Sequence, residues 1–158
     1  MFTACSYAQM DKINYVEGEK IKVADQIEIR SSVSSLKSTF GKPDSIVEYF
    51  DPIVDEVPTK FYYYKNSYFE VEEETVMSFN LTNELFSVLG LKVGDKENKL
   101  SNKFPQSYSN KYLAGENRNQ LMVRVGLLTP DGIKSDAYYL VFSLDDKKIS
   151  SIEYWENP

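Results

Sequence analysis

The groups in this chain that could do chemistry are 24 Asp and Glu side chains, 18 Lys and Arg side chains, 12 tyrosines and one cysteine, Cys5; histidine is absent. Without histidine there is no ordinary general base near neutrality, no imidazole metal ligand and no Ser-His or Cys-His nucleophile pair. A single cysteine forms neither an internal disulfide nor a thiolate cage. Catalysis would have to run on carboxylates, lysine or tyrosine. Asp51, Asp55 and Glu56 could offer oxygens to calcium, but the spacing of an EF-hand loop is missing. Glu72, Glu73 and Glu74 form a charge run at a strand end, where such runs guard a sheet edge against aggregation. A retaining glycosidase needs two carboxyls about 5 Å apart in a cleft, and no spacing singles out such a pair. The reading is therefore non-enzymatic, with no catalytic residue, metal or cofactor.

Charge narrows the partners. A net charge of −6 repels a phosphate backbone and an anionic membrane surface, so nucleic acid is not expected. No apolar run approaches the roughly 20 residues that span a bilayer. Met1-Phe2-Thr3-Ala4-Cys5-Ser6 looks like the end of a bacterial lipoprotein signal, in which Cys5 would be cut and lipidated. That reading places the chain in the periplasm or at the outer-membrane surface, held to the membrane only through a lipid at Cys5. The basic and apolar regions of such a signal are not in this sequence, and with Met1 as the true start the chain is expected in the cytoplasm.

The elements that must position any site occur twice. Residues 31–43 (SSVSSLKSTFGKP) and 95–107 (DKENKLSNKFPQS) align at an offset of 64, matching Ser31 to Asp95, Leu36 to Leu100 and Phe40 to Phe104. Each copy opens on a side chain able to cap a helix and carries Leu and Phe four residues apart on one helical face. Gly41 and Pro43 end the first helix, and Pro105 ends the second. Leu36, Phe40, Leu100 and Phe104 are predicted core residues.

Strand patterns lead into the first helix and follow both. Residues 21–29 read as a short strand, 45–50 as a strand and 51–58 as a loop or edge excursion broken by Pro52 and Pro58. Residues 60–73 read as a hairpin turning near Asn66, which puts Tyr62, Tyr64, Phe69 and Val71 on one face and Phe61, Tyr63, Tyr68, Glu70 and Glu72 on the other. Residues 75–81 complete the first unit, and 83–93 read as a strand entering the second. A polar loop over 106–119, with room for a short strand, precedes strands at 120–128, 137–144 and 149–155. Tyr138, Leu140, Phe142, Ile152 and Tyr154 share one face of these, leaving Tyr139, Glu153 and Trp155 on the other. Val76-Met77-Ser78-Phe79 matches Ile149-Ser150-Ser151-Ile152 at an offset of 73, nine more than at the helices. The predicted fold is α+β: two tandem helix-plus-antiparallel-sheet repeats over 21–82 and 83–158, behind an N-terminal tether over 1–20, each helix on one face of its own four-strand layer.

Phe40-Gly41-Lys42-Pro43 closing the first helix and the last hairpin DDKKISSIEYW (Asp145 to Trp155) resemble the β-lactamase-inhibitor-protein-like fold, seen singly in the SmpA/OmlA outer-membrane assembly lipoproteins. The resemblance covers residues 29–156; the second copy departs from it at Phe104-Pro105, which lacks the glycine. It implies a binding module in the bacterial envelope whose uncovered sheet face meets a protein partner. On that basis the candidate contacts are Phe61, Tyr63, Tyr68 and Glu70 in the first unit and Arg124, Tyr139, Glu153 and Trp155 in the second. A small ligand, glycan or peptide, on the same tyrosine and carboxylate surface is the alternative, since rings stack on sugar faces and acids accept from hydroxyls.

Overall fold

Ser32 sets the first helix: its hydroxyl accepts from the Ser35 N–H at 3.1 Å, satisfying one of the unpaired donors of the first turn. The helix, α1, runs Val33–Phe40 and buries Val33 and Leu36; Gly41 ends it at φ 80°, where a side chain would be strained. The computed structural model describes residues 12–111, 119–128, 131–132 and 134–156, so Cys5 and residues 112–118 of the expected polar loop lie outside the described residues.

The fold is mixed α and β and dominated by sheet. In chain order the strands are β1 (Tyr15–Glu17), β2 (Lys22–Val23), β3 (Ile27–Glu28), β4 (Ser45–Tyr49), β5 (Thr59–Tyr64), β6 (Ser67–Glu72), β7 (Thr75–Leu81), β8 (Ser87–Val88), β9 (Leu91–Lys92), β10 (Gln120–Leu128), β11 (Lys134–Asp145) and β12 (Lys148–Glu156). Two further helices are α2 (Glu97–Lys103) and α3 (Pro105–Ser109). One eight-stranded sheet has the order β1-β10-β11-β12-β7-β6-β5-β4, and a small sheet has the order β3-β2-β8-β9. The expected separate layers are thus one sheet, joined where β12 pairs antiparallel with β7 through Ile152–Leu81, Glu153–Asn80 and Tyr154–Phe79.

The hairpin registers follow the alternation of side chains. Tyr62 faces Phe69 and Tyr63 faces Tyr68, turning over Lys65 and Asn66 at φ 46° and 69°. The apolar face carries Tyr62, Tyr64, Phe69, Val71, Phe79, Leu121, Val123, Leu140, Phe142, Ile152 and Tyr154. These pack in one core with Leu36, Leu100 and Phe104 of the helical segments and with Val23, Ile27, Val88 and Leu91 of the small sheet.

Two sets of backbone bonds recur along the chain. Ser32 bridges Thr75 and Lys96 bridges Lys148: 32 to 96 is a step of 64, and 75 to 148 a step of 73. Val33 N–H donates to Glu74 O and Glu97 N–H to Lys147 O, the same two steps. The N-termini of α1 and α2 are thereby each tied to a hairpin tip.

Several expectations are corrected. The stretch 12–20 is not a tether: β1 pairs parallel with β10 and Ile13 is buried beside it. Asp95 does not cap α2, whose N-cap position is Lys96 with no side-chain acceptor. Its carboxylate turns back instead to the Lys92 N–H at 3.0 Å and the Lys99 ammonium at 2.6 Å. Pro105 ends α2 but also starts α3, where a proline needs no N–H partner, so helix replaces the first part of the expected polar loop. The stretch 83–93 is not one strand but the β8–β9 hairpin, bent at Leu89 and Gly90 with φ 55° and 77°.

Candidate binding face

On the side of the large sheet away from the helices, strand alternation collects the polar and aromatic residues. Cross-strand register lines them into rows. The longest runs Tyr63, Tyr68, Asn80, Glu153, Val141, Met122, from β5 to β10. Beside it on one flank lie Phe61, Glu70 and Ser78, and beyond the β7–β12 junction the same flank continues through Trp155, Tyr139, Arg124 and Tyr15. All eight sequence-predicted residues therefore share one face.

They do not share one environment. In the β5–β7 half, Phe61 meets Tyr68 edge-on and Tyr63 meets it at a tilt, with ring centroids 5.3 and 5.6 Å apart, and all three remain half-buried. The Ser78 hydroxyl donates to Glu70 Oε2 at 2.6 Å. At the junction Asn80 Nδ2 donates to Glu153 Oε1 at 3.3 Å. Burial pushes the Glu153 carboxyl above the usual glutamate range, because desolvation disfavours its charged form. Burial also raises the Tyr68 hydroxyl, with Glu153 and Glu70 adding to it and Asn80 opposing.

In the β10–β12 half the expected open surface is partly closed. Tyr139 is fully buried, in a cluster with Ile13, Met122 and Val141, against which Trp155 packs. Tyr139 is therefore core, because the chain leading into β1 folds over this end of the sheet. The Arg124 guanidinium sits 5.2 Å over the Tyr15 ring. Glu153 and Trp155 stay half-buried and continuous with the first half of the face.

Where β7 and β12 part beyond their three-residue pairing, a cavity of about 310 Å³ opens between Arg30, Glu70, Glu72, Ser78, Trp155 and Glu156. Ser78 lines this cavity and Asn80 stands at the junction beside it; neither is among the sequence-predicted contacts, and Asn80 is legible as the residue 73 before Glu153.

The acid clusters have structural partners. Asp55 Oδ2 accepts from the Asp51 N–H at 2.7 Å and Asp51 Oδ1 from the Ile53 N–H at 2.9 Å, closing a turn. Glu72 accepts from the Thr59 hydroxyl at 3.1 Å. Among the described residues no group of three or more acidic, Cys or His side chains could hold a metal ion. Among them, too, no helix is long and apolar enough to cross a membrane.

No family model and no curated protein matches the chain. Solved structures resemble it at low identity. An extracellular protein containing a SCP domain from Bacillus anthracis aligns at 12% identity and TM-score 0.48, over 81% of this chain and 44% of its own. A cysteine-rich secretory protein from Staphylococcus aureus aligns at 18% identity and TM-score 0.45, over 92% of this chain and 51% of its own. A candidate β-lactamase inhibitor protein from Streptococcus mutans aligns at 12% identity and TM-score 0.32, over 81% and 84%. The chain spans about half the length of the first two.

Proposed function

We propose that this chain is a non-enzymatic bacterial cell-envelope domain that binds a protein partner through the sheet face opposite its helices. The observation that carries the reading is the continuous half-exposed run Phe61, Tyr63, Tyr68, Glu70, Glu153, Trp155, with the acids Glu70 and Glu153 set between the β5–β6 aromatics and Trp155. Aromatic residues are enriched where protein surfaces meet, since they bury large area at little entropic cost. The two halves of the fold are, on this reading, copies of one helix-and-hairpin unit. The recurring 64 and 73 steps in the hydrogen bonds support that, and β7 and β12 are then the seam between copies. A lipid on Cys5 would hold the domain at the membrane; fatty-acyl labelling of the exported chain, abolished by Cys5→Ser, tests the anchor.

The binding reading is tested with a photo-crosslinking residue at Tyr63 and, as control, at the exposed Ser38 on α1. A discrete protein adduct is expected from Tyr63 alone and is lost with Trp155→Ala. Adducts of equal yield at both positions would overturn the reading. Glycan-array binding with no protein adduct would favour a small ligand on the same face.

A further inference from the structure

We infer that the β4 edge of the large sheet is the contact between two copies of this chain. Among the described residues β4 is the last strand on its side of the sheet, and its outer backbone groups have no strand beside them. Protected edges carry lysine, proline or a bulge. Ser45–Tyr49 has none of these, only Glu48 as a charge. Ile46, Val47, Tyr49 and Phe50 are each about half exposed, and Ile53 and Val54 in the following turn are 91% and 76% exposed. These side chains lie on both sides of the strand, Ile46 beside Tyr62 and Val47 beside Phe61, and continue into the turn, so apolar surface borders the free edge along its length. The opposite edge shows none of this: β1 is three residues long and half-buried throughout.

Charge and shape select the occupant. Lys37 and Lys42 lie before β4, while Asp51, Asp55 and Glu56 follow it. Antiparallel pairing with a second copy, centred on Val47, sets the basic end of each strand against the acidic end of the other. Pro43 then stands opposite Asp51 of the second copy, and Ile46 opposite its Glu48, so no Glu48 meets its own copy. A cavity of about 550 Å³ beside the start of the strand, lined by Lys37, Gly41, Pro43 and Ile46, receives the Ile53–Val54 tip of the other copy. The pairing is isologous and closes on itself.

The experiment is sedimentation equilibrium of the full chain from about 1 µM to about 1 mM. A reversible monomer–dimer equilibrium is expected, weakened at least about tenfold by Ile53→Ser with Val54→Ser, both too exposed to matter for folding. Lys42→Glu and Glu56→Lys should each weaken it several-fold, and the two together in one chain should restore it. Monomer throughout the range, or a dimer indifferent to the serine pair or not rescued by the charge swap, overturns the inference. The binding face proposed above is read separately, since none of these substitutions lies on it.

Discussion

Asn80 and Glu153 face each other across β7 and β12, amide to carboxylate at 3.3 Å, at the middle of the only three residue pairs that join these strands. On either side, Phe79 pairs with Tyr154 and Leu81 with Ile152, so that a step of 73 residues carries each member of one pair onto a member of the other. The contact joins the two halves of the large sheet and also holds a partly desolvated carboxylate.

Glu153 is the group whose titration should be felt in stability. Its carboxyl lies above the usual glutamate range in the folded chain because it is buried. The folded state holds that proton more tightly than the unfolded state, so stability is lost as pH rises from about 4.3 through the folded value. Glu153→Gln keeps an acceptor for Asn80 and removes the buried charge. It is expected to raise Tm at about pH 7 and to leave it unchanged at about pH 4. Equal gains at both would contradict the assignment.

Asp95 should behave in the opposite sense. Burial pushes its carboxyl up, but the Lys99 ammonium and the Lys92 N–H outweigh this and hold it below the usual range. Its stabilisation is present above the unfolded value of 3.8 and is lost as pH falls through the folded one. Asp95→Asn is expected to lower Tm at about pH 7, with the gap closing in acid by about pH 2. A gap independent of pH would show that only the neutral hydrogen bond matters.

The β6–β7 turn is a place where stability is left unused. Glu73 and Glu74 hold φ of 46° and 63°, a conformation that suits Asn and Gly. Glu73→Asn with Glu74→Gly keeps the backbone carbonyl that accepts from Val33. It should gain about 1 kcal/mol, or about 2–4 °C in Tm. Loss of stability in thermal unfolding would mean that the Glu74 contact to Lys60, 3.8 Å away, outweighs the strain.

Tyr139 and Tyr63 separate core from surface on a single sheet face. Tyr139→Ala empties a fully buried site and is expected to cost about 3–5 kcal/mol in denaturant unfolding. Tyr63→Ala removes one half-exposed partner of Tyr68 and should cost about 1 kcal/mol or less. Similar costs would mean that the two halves of the face are covered alike.

Period and turn chemistry made much of this legible in the sequence. The 60–73 alternation sorted Tyr62 and Phe69 from Tyr63 and Tyr68, and Leu36 and Leu100 were marked as core by their place on a helical face. The spacing of these patterns also anticipated the steps of 64 and 73 at which helix starts meet hairpin tips. For Tyr139 alternation gives the face but not the environment, because it says which way a side chain leaves its own strand and nothing about what lies over it.

Local sequence thus determined the helix faces, the hairpin turns and the side of the sheet each residue occupies, since all of these follow from backbone geometry over a few residues. Tertiary structure alone decided that β12 lies beside β7, that the chain around Ile13 closes over Tyr139, and that β4 is left as an apolar edge. Those outcomes depend on pairing between segments far apart in the chain, where the gain from burying surface is set by which partner arrives and not by the pattern of either strand.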